Sequence, residues 1–382
     1  MRVLCFGRFC DDMPGGIQSH VQSLLESLRN EVDFLNLVPS RNRAGHRFTR
    51  AGIPVVRTPG WNVDGSLALS PGLILEAWRQ HRRNPFDLVH LHLPDPMSHL
   101  ASLALPARLP RVITWHADIL RHQRLLKLYR PWQDRLLAQA RAIIVATPGH
   151  LTASPTLTMP GIRHKIRVIP FGFDLERFAI PAPEAAAIRA RYPGQLIFAL
   201  GRHVSYKGFD VLLQALTRLK PEVHLLLGGE GPLTPNLKQQ ASALGLAGRV
   251  HFLGRIPDAR LPAHYQACDL FCLPSVTHAE AFGIVQLEAM ASGLPVVSTR
   301  LENGVDFVNR EGETGLTVPP GNPEALAQAL TTLLTQPVLR AELGKHARQR
   351  VQTEFRRETM AQQTLALYRD VLRQKQEPLS PR

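Results

Sequence analysis

The chain reads as an α/β protein of two domains, each a doubly wound, Rossmann-like parallel sheet, and three observations lead there. Its 382 residues exceed one ordinary core and suit two of roughly 150 to 200 residues each. Short β-branched or apolar runs alternate with helix-length amphipathic stretches along the whole length, the pattern of parallel sheets covered by helices. A segment rich in proline and glycine, PFGFDLERFAIPAP at residues 170–183, separates two such series and reads as a hinge.

In the first series the strand candidates are residues 3–6, 88–91, 112–115, 143–146 and 166–169; in the second they are 196–200, 224–227, 250–253, 270–273 and 295–298. The expected division is a first domain at 1–172, a hinge at 173–184, a second domain at 185–355, and a C-terminal helix with its tail at 356–382. Met360, Leu365, Tyr368 and Leu372 make an apolar stripe on that last helix. The stripe can dock on either domain; packing back onto the first is the expectation.

Composition narrows the function classes. A hydrophobic fraction of 44% with 20% charged residues is that of a soluble globular protein, and no window holds the roughly 18 consecutive apolar residues of a membrane span. The opening MRVLCFGRFC reads as a first strand rather than a signal peptide, so a cytoplasmic location is expected. Cys5, Cys10, Cys268 and Cys272 lack the CxxC pairs of zinc sites and read as reduced packing residues. The net charge of +14 is uneven: residues 1–180 carry 23 Lys and Arg against 13 Asp and Glu. The first half therefore faces something anionic. Without zinc-finger spacing or an aromatic RNA-binding signature, nucleic acid is not expected, which leaves an anionic membrane surface or a phosphorylated substrate.

The chemistry concentrates in HAEAFGIVQLEAMASGLPVVST, residues 278–299. Glu280 and Glu288 stand in a run otherwise made for burial, and a carboxylate there needs a partner. The run reads as the loop and helix of a βαβ crossover, whose loop lies at the carboxyl ends of the strands where ligands bind. Free amides at the helix start, around Gly283 to Val285, would face an anion such as phosphate. The two carboxylates would be repelled by phosphate and accept hydrogen bonds from flanking hydroxyls instead. GRHVSYKG, residues 201–208, follows the strand LIFAL and places Arg202 and Lys207 at the same end of the sheet to neutralise charge. Each charge-assisted bond there is worth about 1.5 to 3 kcal/mol. A diphosphate flanked by two hydroxyl-rich groups is a nucleotide-sugar.

On these residues the sequence resembles the retaining glycosyltransferases of family 4, which have the GT-B fold. The most specific mark is EAFGIVQLE, Glu280 to Glu288, followed by AMASGLPVV. GRHVSYKG, GGEGPL (228–233), HFLGRIP (251–257) and TGLTVPPGNPEAL (314–326) accompany it in family order. The resemblance implies two Rossmann-like domains facing across a cleft, a nucleotide-diphospho-sugar donor (a GDP- or UDP-sugar), and no cofactor or metal, because Arg, Lys and helix dipoles neutralise the diphosphate. It gives Glu280 the hydroxyls of the transferred sugar and Glu288 the ribose. Arg202 and Lys207 hold the diphosphate with amides of Phe282, Gly283, Ile284 and Val285, and the nucleobase lies near Gly254 and Arg255. DMPGGIQSH (12–20) matches the glycine-rich loop, bringing Gly15 and the amide of Gly16 to the phosphates. His116 in TWHAD matches the active-site histidine beside the sugar.

Plainer readings stand beside these. Arg202 and Lys207 also read as surface charges, though two loops converging on one site favour function; Gly15 and Gly16 read as an ordinary strand-to-helix turn, and His116 as a structural histidine like His90, His92 and His99. Asp11 and Asp12 resemble a metal pair, but adjacent loop carboxylates usually face water or cap a helix. Arg121, Arg124, Lys127 and Arg130 recur every third residue on one helical face, with Leu125, Leu126 and Tyr129 opposite. This is a basic amphipathic helix able to sit on anionic lipid at the inner membrane face, or a core helix with a solvated basic face interrupted at Pro131. TWHADILRHQRLLKLYRP and RLENGVDFVN (300–309) look most like members that build bacterial surface polysaccharides on a lipid-diphosphate carrier. RLENGVDFVN also departs there from the glycine-rich form of many members. Two alternatives stay open: transfer to a small soluble acceptor, and a non-catalytic glycan or membrane scaffold.

Overall fold

The computed structural model describes residues 1–7, 16–40, 43–62, 68–116, 123–149 and 154–374, with backbone alone at 16, 62 and 123–127. The chain forms two compact units, Met1–Phe173 with Arg357–Arg382, and Asp174–Arg356. Parallel pairings between apolar runs, most of them joined by helices, account for both.

The first unit is built on an eight-stranded sheet. Its strands are β1 (Arg2–Phe6), β2 (Asp33–Pro39), β3 (His46–Arg50), β4 (Ile53–Thr58), β7 (Leu88–Leu93), β8 (Arg111–Trp115), β9 (Ala142–Val145) and β10 (Ile166–Val168), in the order β10-β9-β8-β7-β1-β2-β4-β3. A short ribbon, β5 (Trp61–Asn62) with β6 (Ala68–Leu69), lies apart from it. All pairings in the sheet are parallel except β3 with β4. Three of its strands, β2 to β4, are additional to those read from the sequence. Asn36 breaks the apolar run of β2, yet it is buried because its Oδ1 accepts the Gly7 amide at 3.2 Å. The edge strand β3, HRFTR, has almost no buried side chain and so carries no apolar alternation to read.

Helices cover both faces of this sheet. On one face Val21, Leu24, Leu25 and Leu28 of the helix Gly16–Leu28 pack with Met360, Leu365, Tyr368 and Val371 of the helix Arg357–Arg373, so the C-terminal helix completes the first unit's core. On the other face, helices Gly72–Arg83, Pro96–Leu103 and Gln123–Gln139 contribute Leu73, Ala77, Met97, Ala101, Leu136 and Leu137. The helix Gln123–Gln139 is not interrupted at Pro131 as the sequence suggests. It runs through the proline, at the cost of the backbone bond that residue cannot donate.

The second unit is a six-stranded, all-parallel sheet of β11 (Gln195–Leu200), β12 (Val223–Gly228), β13 (Val250–Gly254), β14 (Leu270–Leu273), β15 (Val296–Thr299) and β16 (Gly315–Val318). The order β13-β12-β11-β14-β15-β16 is that of a dinucleotide-binding sheet, and it reverses between β11 and β14. Ligands in such sheets bind at that switch point, outside the carboxyl ends of the strands. The segment 170–183 divides between the units: Phe171 and Phe173 are buried in the first, whereas the helix Glu176–Ala179 sets Phe178 against Tyr265 in the second, ring centroids 5.6 Å apart.

Candidate functional site

Two loops leave the second sheet at its switch point, one after β11 and one after β14, and backbone contacts stitch them together. The Val276 amide donates to Tyr206 O at 2.8 Å. Gly208 turns in the left-handed region, φ 66°, and a Cβ there would lie 2.0 Å from Pro274 O. Only glycine allows so close an approach. The consequence is that Lys207 and Glu280, 73 residues apart, meet: Nζ lies 2.5 Å from Oε2, and both side chains are about nine-tenths buried. Ser275 Oγ donates to the same carboxylate oxygen at 3.1 Å.

A third loop, after β15, supports the second. Asn303 donates from Nδ2 to the Glu280 carbonyl at 2.7 Å while its Oδ1 caps the short helix Gly304–Val308, and the Thr299 hydroxyl donates to Ser275 O. Gly304 sits where a Cβ would be 2.2 Å from Ala281 O. The segment 300–309, whose departure from the glycine-rich form was noted above, thus acts here as a brace beneath Glu280.

Glu288 lies in the helix Ile284–Ala291, which starts at Gly283 with φ 68° and no side-chain cap. Its first amides have no partner within the helix, as at any helix start. Tyr265, fully buried, reaches Glu288 Oε2 at 2.8 Å and the Val285 carbonyl at 3.1 Å. Glu288 keeps part of its surface exposed among close protein neighbours. That burial pushes its carboxyl up to about 7, against the downward pull of the Tyr265 hydroxyl and of Arg177.

The remaining donor-side candidates lie along the same end of the sheet. Arg202, two residues beyond β11, is exposed, and its guanidinium has no hydrogen bond to the described residues. Gly254 ends β13 with φ 64°, its carbonyl accepting the Gly229 amide at 2.8 Å, and Arg255 after it is exposed. Phe282 is buried, and its carbonyl takes the Gln286 Nε2 at 2.9 Å. Lys207, Glu280, Phe282, Gly283, Ile284, Val285 and Glu288 are therefore brought together. Arg202 is set beside them, and Gly254 with Arg255 lie two strands away.

In the first unit, His116 follows β8 directly, its amide bonded to Leu93 O at 2.9 Å. It is buried, with Nε2 3.1 Å from His92 Nδ1. Three rings crowd it: His20 at 5.2 Å, Phe171 at 5.1 Å and the same His92 at 5.4 Å between centroids. Gly16 begins the helix that carries His20. Gly15, Asp11, Asp12 and Arg121 lie outside the described residues, as do the side chains of Arg124 and Lys127; Arg130 is exposed.

Sequence reasoning passed over Tyr265, Ser275, Asn303, His20 and His92. Tyr265 comes 23 residues before its partner with no spacing to mark it. His20 and His92 did carry a signal: each is a polar residue on an otherwise apolar face, His20 on the stripe of Val21, Leu24 and Leu28, and His92 inside LVHLHL.

The geometry has relatives. A model described as Glycosyl transferases group 1 matches residues 182–350, and one described as Glycosyltransferase Family 4 matches residues 14–177. The chain is 34% identical over 367 residues to the D-rhamnosyltransferase WbpZ of Pseudomonas aeruginosa, covering 93% of this chain and 92% of that one. This chain is a family 4 glycosyltransferase. The glycosyltransferase is also 31% identical over 356 residues to a phosphatidyl-myo-inositol mannosyltransferase of Mycobacterium tuberculosis, with 89% of each chain covered. Its fold is GT-B: it superposes on Anabaena HepE, solved with UDP, with a TM-score of 0.79 over 97% of this chain and 100% of that one at 24% identity. A sucrose-phosphate synthase from Thermosynechococcus elongatus gives 0.77 over 98% and 99% at 23%.

Proposed function

We propose that this glycosyltransferase moves a hexose, mannose or a deoxyhexose, from a GDP- or UDP-sugar to a lipid-linked or oligosaccharide acceptor in bacterial surface-polysaccharide synthesis, with retention of configuration and without a metal. One observation carries the donor half: the buried Lys207–Glu280 pair at the switch point, with Glu288 on the uncapped helix beside it. A diphosphate set against Lys207, Arg202 and the amides of Gly283 to Val285 would have its charge met by groups already held in place. Glu280 Oε1 accepts no hydrogen bond from the described residues and is available to a sugar hydroxyl, and Glu288 to the ribose. The C1–O bond to the diphosphate breaks, the acceptor oxygen bonds to C1 on the same face, and its proton passes to the departing phosphate oxygen. The residues position and stabilise; none need attack. His116 is assigned to the sugar's side of the reaction.

The acceptor half draws on the WbpZ likeness and on a surface of the first unit. Leu128 and Trp132 are exposed to 75% and 57%, beside Arg130, and Leu100 and Leu103 of the neighbouring helix are also exposed. His99 Nδ1 to Tyr129 OH, 2.8 Å, ties the two helices together. An apolar strip edged by arginine suits the face of an anionic bilayer, each cation adding about 1 kcal/mol near the surface. This favours a lipid-linked acceptor over a small soluble one. No helix among the described residues is long and apolar enough to cross a membrane.

A thermal-shift titration with GDP and UDP side by side tests the donor half. The preferred nucleotide at a hundred times its dissociation constant should add about 2.7 kcal/mol of stability. The shift should vanish in Lys207→Ala; no shift with either nucleotide would remove the donor assignment and raise the scaffold alternative. Sedimentation with anionic vesicles tests the second half: the wild type should pellet and a Leu128→Glu, Trp132→Glu variant should stay in solution. Equal behaviour of the two would defeat the membrane reading.

A further inference from the structure

The first unit gathers two further histidines around His116, for which the proposed transfer gives no role. His20, His92 and His116 are all buried, and one ring nitrogen of each lies within 4.8 Å of the others. No other group of three His, Cys, Asp or Glu among the described residues meets this geometry. Three different elements deliver the rings: the helix Gly16–Leu28, the strand β7, and the turn after β8. Among the described residues, His20 has no hydrogen-bond partner for either nitrogen, and His92 has none for Nε2. Each such buried orphan costs about 1 to 3 kcal/mol, so three together point to something that binds them.

We propose that His20, His92 and His116 form a binding site for one borderline divalent cation of the Zn2+, Co2+ or Ni2+ class. Three imidazoles with an open fourth position are a recurrent ligand set for such ions. Coordination by His92 Nδ1 and His116 Nε2 replaces the hydrogen bond between them, the proton that joins them moving to the other nitrogen of its ring. The 3.1 Å between His92 Nδ1 and His116 Nε2 is close to the separation of two nitrogens sharing a tetrahedral ion at about 2.0 to 2.1 Å. Hard cations are not accommodated, since the trio offers no oxygen. The ion is not needed for transfer; bound there, it occupies His116 and inhibits. That inhibition rests on the assignment of His116 to the sugar, whereas the binding does not.

The test is a titration of chelator-treated full-length protein with Co2+, read by visible absorption, followed by Zn2+. One equivalent of Co2+ should produce the intense bands of a tetrahedral site, which one equivalent of Zn2+ should abolish and excess Mg2+ should leave unchanged. His20→Gln and His92→Gln should each weaken binding more than about tenfold. His224→Gln, which alters the His224–His251 pair of the second unit, should bind as the wild type does. Absence of tetrahedral bands, full binding in His20→Gln, or loss of binding in His224→Gln would each overturn the site. His20 lies on a helix rather than in the sheet, so His20→Gln is decisive if His92→Gln fails to fold, and circular dichroism checks each variant. Zn2+ binding in nucleotide-free protein separates failure of this site from failure of the donor assignment.

Discussion

At the scale of single residues, the Lys207–Glu280 pair ties function to stability. Removing one partner leaves the other charge buried, at a cost of about 3 to 5 kcal/mol. Lys207→Ala should therefore lower the urea midpoint of the second unit as well as abolish transfer, whereas Lys207→Met with Glu280→Gln should recover most of the stability and none of the activity. A double mutant as unstable as the single one would mean that the pair is not what holds the two loops. Glu288 yields a prediction in pH. With its carboxyl at about 7, Glu288 in the proposed ribose-binding role would accept hydroxyls fully only above that value, so donor KM should rise as pH falls through about 7. Tyr265→Phe removes the hydrogen bond that pulls this value down, and the inflection should move to higher pH. An unmoved inflection would detach Tyr265 from Glu288. The two glutamates were legible because a charged residue in an apolar run asks for a partner; Tyr265 was not, since a tyrosine in an amphipathic helix asks for nothing.

At the scale of elements, the site depends on turns that place loops rather than on the helices and strands themselves. Gly208→Ala would put a methyl group on the Pro274 carbonyl and force a left-handed backbone on alanine, which by itself costs about 1 to 2 kcal/mol. The loop should move away from Val276, and nucleotide affinity should fall with the melting temperature; an unchanged thermal shift would show that the two loops need not touch. The C-terminal helix makes the opposite kind of contribution. Tyr368 OH lies 2.6 Å from His90 Nδ1 deep in the first unit, and His90 Nε2 bonds Thr114 Oγ1 at 2.7 Å. Tyr368→Phe should cost about 1 to 3 kcal/mol by leaving that ring nitrogen unpaired, measurable by chemical denaturation. The apolar stripe on this helix was legible from its spacing. Which core it enters was not, because Met360, Leu365 and Tyr368 would satisfy any complementary face.

At the scale of the whole molecule, the two units carry ionisable groups of opposite sense. Burial depresses His20 and His90 to about 3 and His99 to about 4, so below their ordinary value near 6.5 the unfolded chain takes up protons that the folded unit refuses. Their neutral burial is tolerated at pH above about 6.5, and stability falls as pH drops from there towards 4. Glu288 runs the other way: the folded state keeps a proton that the unfolded chain releases between about 4.5 and 7, so its contribution declines as pH rises through that window. All four tryptophans, Trp61, Trp78, Trp115 and Trp132, belong to the first unit. Tryptophan fluorescence should therefore report a lower melting temperature at about pH 5 than at about pH 7.5. Equal values would mean that the histidines are not held neutral.

The sequence by itself determined that there are two parallel α/β sheets, and it singled out Glu280 and Glu288, because periodic burial and an isolated charge in an apolar run are local properties. It also placed Gly283 at a helix start, since the apolar run after it needs one. Only the tertiary structure decided that Lys207 and Glu280 form one buried pair, that Tyr265 hydrogen-bonds Glu288, and that His20, His92 and His116 converge. Those facts depend on strand order: β11 lies beside β14, and β7 beside β8, only once the sheets are assembled. Residues tens of positions apart then share a few ångströms that no spacing along the chain records.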